Sequence, residues 1–249
     1  MNYLSAENIS KSFGEQTLFE GITFGLERGE KAAIIARNGT GKTTLLRILA
    51  GMESSDSGDF TFRNNIKVAF LEQSPDLDQT VSIDELILTA NTSVLTVIKH
   101  YEKVLQEHSR QHTEQTASDL EDATTEMDRL HAWDYERRLR QLLDLFRITN
   151  TEQLVGKLSG GEKKRLAMAL VLLDEPDFLI LDEPTNDLDL FALNKLEEFL
   201  LNFKGCLVIV SHDRYLLDKL TDHLFIFEGG GHIRDHYGTC SAYRQEKAP

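Results

Sequence analysis

Residues Ala36-Arg37-Asn38-Gly39-Thr40-Gly41-Lys42-Thr43-Thr44 carry the residue types that grip a polyphosphate. Apart from alanine at its first position, the run fits the spacing G-x-x-x-x-G-K-[ST]. In such a loop, consecutive backbone N–H groups and a helix N-terminus converge on the β- and γ-phosphates. The loop needs residues without obstructive side chains, and Gly39 and Gly41 supply them. Lys42 would set its ammonium between the two phosphates, and the Thr43 hydroxyl would be a ligand for Mg2+. Thr44 supports these contacts from behind or packs the following helix. Ala36 would be strained at positive φ but is acceptable at a strand end with negative φ.

Further along, polar residues stand at the ends of apolar runs. Asp182 follows Phe178 to Leu181, which puts it at the carboxyl end of a buried strand, where open α/β sheets bind ligands. It is a magnesium partner by position. Glu183, next in the chain, would point differently and serve as general base for a water attacking the γ-phosphate in line. His212 follows Val208-Ile209-Val210-Ser211 and can donate a hydrogen bond to the same phosphate. Gln73 follows the run Lys67 to Leu71, where its amide could sense the γ-phosphate through Mg2+ or the attacking water. Phe13 is a candidate to stack on an adenine ring.

Ser159-Gly160-Gly161-Glu162 is a capping box, S-x-x-E, that opens a helix. The two glycines leave a positively polarised terminus uncovered, which suits an anion. With the chain's own phosphate loop filled, that phosphate would come from another copy.

The elements that must position these residues follow from periodicity. Tyr3 to Ile9, Gly21 to Leu26 and Lys31 to Ala36 read as strands, as do Phe60 to Phe62 and Lys67 to Leu71. After the phosphate loop, Leu45, Leu46, Ile48 and Leu49 fall at helical spacing up to Gly51. Residues 76 to 157 change character to an inserted helical region with an antiparallel pair of helices broken near Ser109 to Ala117. One stripe runs Val94, Val97, Ile98, Tyr101, Val104, Leu105; the other runs Leu120, Met127, Leu130, Leu139, Leu142, Phe146, with Ser118 and Glu121 as its capping box. Beyond it, helices at Gly161 to Leu173, Leu190 to Phe203 and Arg214 to Leu220 alternate with strands at Phe178 to Asp182, Cys206 to Ser211 and His223 to Phe227. That alternation implies a mostly parallel sheet covered by helices. Gly229-Gly230-Gly231 would turn a final hairpin.

Composition narrows the function. The 249 residues suffice for one sizeable core carrying a subdomain. With 27 Lys and Arg against 41 Asp and Glu, the net charge of -14 argues against binding nucleic acid by bulk electrostatics. The two cysteines, Cys206 and Cys240, have no metal or redox spacing and fit a reducing compartment. The N-terminus lacks the pattern of a secretory signal, and Leu166 to Leu173 is too short to span a bilayer, so a cytoplasmic protein without membrane insertion is expected.

These motifs together resemble the nucleotide-binding domain of ATP-binding-cassette (ABC) proteins, and in particular the first, N-terminal domain of an ABC-F protein. The subfamily resemblance rests on Arg37-Asn38-Gly39, Leu158 to Arg165 (LSGGEKKR), Glu183 to Asp189 (EPTNDLD), Ser211 to Asp218 (SHDRYLLD), Tyr237-Gly238 and Ala242-Tyr243. It implies an α/β fold of the P-loop NTPase type: a mostly parallel core sheet, an N-terminal antiparallel β subdomain and an inserted α-helical subdomain, with a short arm within 76 to 157. It implies ATP hydrolysis to ADP and phosphate with Mg2+. The functional positions would be Phe13, residues 36 to 44 including Asn38 and Thr40, Gln73, Ser159 to Glu162, Asp182, Glu183, Asp189 and His212. It further implies a second cassette closing head to tail on two ATP molecules, in the same polypeptide or as a homodimer, and action on the ribosome and its rRNA. The chain stops at Gln245 to Pro249, where a linker to that second cassette would begin. The alternative is the ATPase subunit of an ABC membrane transporter, whose cleft beside Gln73 would receive a permease helix.

Overall fold

The computed structural model describes residues 2–37, 39–90, 92–229 and 231–247. In chain order the elements are β1 (Asn2–Phe13), β2 (Gln16–Glu27), β3 (Lys31–Ile35), α1 (Lys42–Leu49), β4 (Ser57–Phe62), β5 (Val68–Leu71), α2 (Ile83–Ala90), α3 (Thr92–Arg110), α4 (Glu114–Arg129) and α5 (Ala132–Leu145). They continue with a 3-10 turn (Val155–Lys157), α6 (Gly160–Leu173), β6 (Phe178–Asp182), α7 (Leu190–Asn202), β7 (Cys206–Val210), α8 (Arg214–Leu220), β8 (His223–Gly229), β9 (His232–Tyr237) and α9 (Cys240–Lys247). The chain divides into two compact units, Met1–Pro75 with Glu175–Pro249, and Asp76–Asp174.

The first unit holds both sheets. An antiparallel sheet of order β2-β1-β4 accompanies a six-stranded sheet of order β5-β6-β7-β3-β8-β9, parallel throughout except for the β8–β9 hairpin. This is the α/β arrangement that the alternation implied. Every residue of β6 and β7 is buried, as expected of central parallel strands covered on both faces. Leu45, Leu46, Ile48 and Leu49 of α1 join Phe178, Ile180, Val208 and Val210 in one core, which fixes the helix behind the phosphate loop onto the strands that carry the carboxylates. Cys206 belongs to that core; its thiol donates to the Glu27 carbonyl at 2.7 Å, and burial pushes its pKa up to about 11, an inert thiol rather than a redox one.

β1 and β2 are longer than periodicity suggested, because a two-residue turn at Gly14-Glu15 pairs Phe13 directly with Gln16. Bulges interrupt the alternation within β1, which hides its length from a period-2 reading. At the β1–β4 crossing a side chain on Gly58 would meet the Asn8 carbonyl oxygen at 2.3 Å, so only glycine allows the strands to approach there. The helix α9 was not anticipated; its sequence, Cys240–Lys247, is mostly polar and lacks a continuous stripe.

The second unit is helical. α3 and α4 pack as neighbours, with α5 against both. The expected pair is thus preceded by α2, and its second member is divided. What read as one irregular stripe is two helices, since His131 adopts φ 52 between α4 and α5 and breaks the periodicity between Leu130 and Leu139. The predicted capping box at Ser118 and Glu121 is also corrected. Both lie inside α4, whose cap is Thr113 with Thr116, because that turn already satisfies the first N–H groups. Leu105 is exposed, and Leu95, absent from the predicted stripe, is buried.

Candidate functional site

β3 delivers the chain into the phosphate loop and α1 leaves it at Lys42. Gly39 and Gly41 have φ 78 and 96, a left-handed backbone that L side chains rarely adopt. Ala36 is at negative φ, so the alanine in place of glycine brings no strain. Gly41 is the N-cap of α1 and offers no side-chain cap, which leaves the first N–H groups of the helix directed at the loop interior. A Cβ on Gly41 would sit 2.9 Å from the Leu18 Cβ, so the position excludes a side chain by contact as well as by φ. Asn38 lies outside the described residues. The Lys42 ammonium donates to the carbonyls of Ala36 (3.3 Å) and Arg37 (3.1 Å), and the Thr40 hydroxyl donates to Arg37 O at 2.8 Å.

The carboxylates sit at the ends of the central strands because of register. β6 and β7 run parallel with Asp182 opposite Val210, so Glu183 and His212, just beyond the strand ends, become neighbours. Asp182, 1% exposed, accepts a 2.7 Å hydrogen bond from the Thr43 hydroxyl. Glu183, 4% exposed, has φ 47, an uncommon backbone for a residue with a side chain and one that often marks a functional constraint. Its N–H donates to Val210 O at 2.9 Å. Its Oε2 accepts from the His212 backbone N–H at 3.2 Å, and its Oε1 lies 3.2 Å from His212 Nε2. Adjacent in sequence, the two carboxylates thus face different partners: Asp182 the loop hydroxyl, Glu183 the histidine. A hydrogen bond between Thr185 Oγ1 and Ser211 Oγ (3.1 Å) ties together the two loops that carry them.

One cavity of about 450 Å³ gathers Phe13, Gly39, Gly41, Lys42, Thr43, Thr44, Gln73, Asp182, Glu183 and His212. Gln16, Leu18 and Asn186 also line it, and sequence reasoning missed all three. Asn186 had a signal, its place in the loop after the Asp182 strand; Gln16 and Leu18 had none, since they arrive through the β1–β2 hairpin. Phe13 is 55% exposed at the rim, with the Lys11 ammonium 5.6 Å from its ring centre. Thr40 faces a smaller neighbouring cavity beside Thr17 and Phe227. Asp189 is the N-cap of α7, its carboxylate accepting from Ala192 N at 2.8 Å, and does not line the 450 Å³ cavity.

Ser159 to Glu162 belong to the second unit. The capping box is formed: the Ser159 N–H donates to Glu162 Oε2 at 2.8 Å and the Glu162 N–H donates to Ser159 Oγ at 3.3 Å. The Ser159 hydroxyl, and next its backbone N–H, hold the Glu162 carboxyl below its ordinary pKa. Space around Gly160 is open, with no atom within 4 Å of where a Cβ would stand.

Comparison with known proteins agrees with this geometry. Residues 19–186 match the family described as ABC transporter. Among curated proteins, an uncharacterized ABC transporter ATP-binding protein, YfmR of Bacillus subtilis, is 36% identical over 249 residues, 100% of this chain and 39% of its own length. The energy-dependent translational throttle protein EttA of Escherichia coli K12 is 30% identical over 247 residues, 98% of this chain and 38% of its own. The chain therefore spans about two fifths of the relatives it matches. Among solved structures, an ATP-binding subunit of an ABC transporter superposes with a TM-score of 0.74 at 22% identity, covering 98% of this chain and 93% of that one, which shows the fold. A sheet, loop and carboxylate arrangement of this kind, with two thirds of the chain matching one family model, makes the chain a member of the ABC transporter family.

Proposed function

We propose that this cassette is part of an ABC-F-type protein that acts on the ribosome in translation, hydrolysing ATP between two cassettes closed head to tail. The observation that carries the enzymatic half is the convergence of the Thr43–Asp182 and Glu183–His212 contacts on one cavity beside the phosphate loop. Lys42 would move from the loop carbonyls to the β- and γ-phosphates when ATP binds. The N–H groups of the loop would hold the same oxygens. Phe13 would stack on adenine, and Thr44, Asn38 and Thr40 would support the loop. Glu183 would take the proton of the attacking water, with His212 and Gln73 orienting the γ-phosphate and that water. Mg2+ fits the site, because the Thr43 hydroxyl and the buried Asp182 carboxylate already form a pair of hard oxygens 2.7 Å apart. When bound, the ion would neutralise charge on the phosphate oxygens, with Gln73 as a third donor.

The translational half is supported by relatives named for translational throttling that match nearly the whole chain. The signature Ser159 to Glu162, with open space around Gly160, would take the γ-phosphate held by another cassette, and Asp189 would also serve the pairing of cassettes. Cytoplasmic location follows from this reading. Among the described residues, no helix is long and apolar enough to cross a membrane.

Co-sedimentation with ribosomes tests the proposal, using the full-length product with Glu183→Gln and the equivalent change in a second cassette. ATP-dependent pelleting with ribosomes is expected. Reproducible absence, with ATP-driven closure confirmed separately, would overturn the ribosomal role and favour the ATPase subunit of a transporter.

A further inference from the structure

A second, smaller cavity of about 110 Å³ shares Lys42, Glu183 and His212 with the nucleotide cavity but is completed by other elements. Its remaining walls come from β3, from Arg214 and Leu217 of α8, and from Cys240 and Arg244 of α9. The two cavities therefore meet at the Glu183–His212 contact of 3.2 Å, which stands between them as a partition. We propose that this rear cavity is an oxyanion site that receives inorganic phosphate after hydrolysis and lets it leave between α8 and α9 while ADP still occupies the phosphate loop. The inference rests on the reading of Lys42, Glu183 and His212 as the residues around the γ-phosphate.

Charge is the first argument. In a chain of net charge -14, the lining carries three permanent cations, Lys42, Arg214 and Arg244, against a single carboxylate, Glu183. Among the described residues, neither Arg214 nor Arg244 is engaged in an ion pair or a side-chain hydrogen bond, so both guanidiniums are available to a ligand. Planar guanidiniums recognise a tetrahedral oxyanion through paired N–H donors. Size is the second argument: on the measure by which roughly 15 Å³ admits one water, the cavity is several times larger.

The chemistry supplies the ligand at the right place. In-line attack joins the water oxygen to the γ-phosphorus and breaks its bond to the bridging oxygen, which stays with ADP, while the water proton passes to Glu183. Orthophosphate is thus released facing Glu183 and His212, on the side away from the β-phosphate. A His212 side chain drawn toward the phosphate no longer closes the partition. The route to Arg214 and Arg244 then offers the anion growing positive charge.

Titration of inorganic phosphate into the ADP-saturated protein, followed by calorimetry, tests the site, with the ADP titration recorded alongside. Phosphate is expected to bind the ADP complex, and the double variant Arg214→Ala, Arg244→Ala should weaken it at least tenfold with ADP affinity kept within twofold. Arg214→Lys, Arg244→Lys, which keeps the charge but loses the paired donors, should fall between the native protein and the alanine variant; an affinity as low as the alanine variant's would overturn the role of charge. Both side chains are exposed, so neither change threatens the fold. Phosphate that binds only without ADP, that fails to bind at millimolar concentration, or that binds the alanine variant unchanged would overturn the inference. Failure of ADP itself to bind would overturn the reading of the phosphate loop, and this inference with it.

Discussion

The two units of the chain are built on different principles. In the first, the backbone is forced into uncommon conformations where chemistry would occur: Gly39 and Gly41 in the phosphate loop, then Glu183 and Asp187 after β6, all at positive φ. Fully buried parallel strands hold those strained turns in place, so local strain is balanced by a core that cannot rearrange cheaply. The second unit is helical, and its left-handed residues His131 and Arg147 stand at helix ends, away from the proposed chemistry. Its α4 and α5 carry charge pairs along exposed faces, such as Arg129 with Glu126 and Arg137 with Asp134, and its stability comes from apolar residues such as Ile98 and Met127. The chemistry proposed for the first unit would depend on single atoms; outside Ser159 to Glu162, the second unit should tolerate most surface change.

Substitutions of graded severity can break or sharpen that contrast. Gly41→Ala should be the most damaging, because φ 96 and the Leu18 Cβ at 2.9 Å oppose any side chain, and a left-handed non-glycine residue costs about 1–3 kcal/mol. At least a tenfold loss of ATP affinity is expected in a nucleotide titration; unchanged affinity would show that the loop relaxes and the first unit is not so constrained. Met127→Ala, in the fully buried interior of the helical unit, should cost about 2–5 kcal/mol in denaturant unfolding. Arg129→Ala, removing an exposed pair two residues along the same helix, should leave the unfolding midpoint almost unchanged in the same experiment. Equal losses for the two would contradict the division between core and surface.

The smallest effect is electrostatic. Glu162 has a folded-state pKa depressed below its ordinary 4.5, so its contribution to stability is complete above that value and is lost as pH falls through the lower folded value. Thermal unfolding of the native chain and of Glu162→Gln should therefore converge in acid and separate above pH 5. Parallel curves would mean that the carboxylate is not held by Ser159.

The first unit was the more legible in sequence, for the same reason that it is the more constrained. Strained turns and strand-end carboxylates demand particular residues at particular spacings, and Lys42, Thr43, Asp182, Glu183 and His212 announce themselves in that way. Gln16 and Leu18 do not, because a hairpin of ordinary strand residues brings them to the cavity from a distant turn. Arg214 lies within the quoted run Ser211 to Asp218 but was given no role there, and Arg244 was silent, since an exposed arginine on a helix carries no spacing signal. In the helical unit, hydrophobic period alone was available, and one left-handed residue, His131, was enough to hide a helix boundary. Thr113 displaced Ser118 as a cap for a related reason: two serine or threonine turns stood close together, and only packing selects between them.

The role proposed for Glu183 is that of base in the phosphate-loop cavity. Its most direct test is the rate of ATP cleavage by Glu183→Gln, measured with ATP binding in the same preparation. Native ATP affinity is expected, with cleavage slowed by about 10²–10⁴-fold, since the amide keeps the shape and removes the base; cleavage at the native rate would contradict that role.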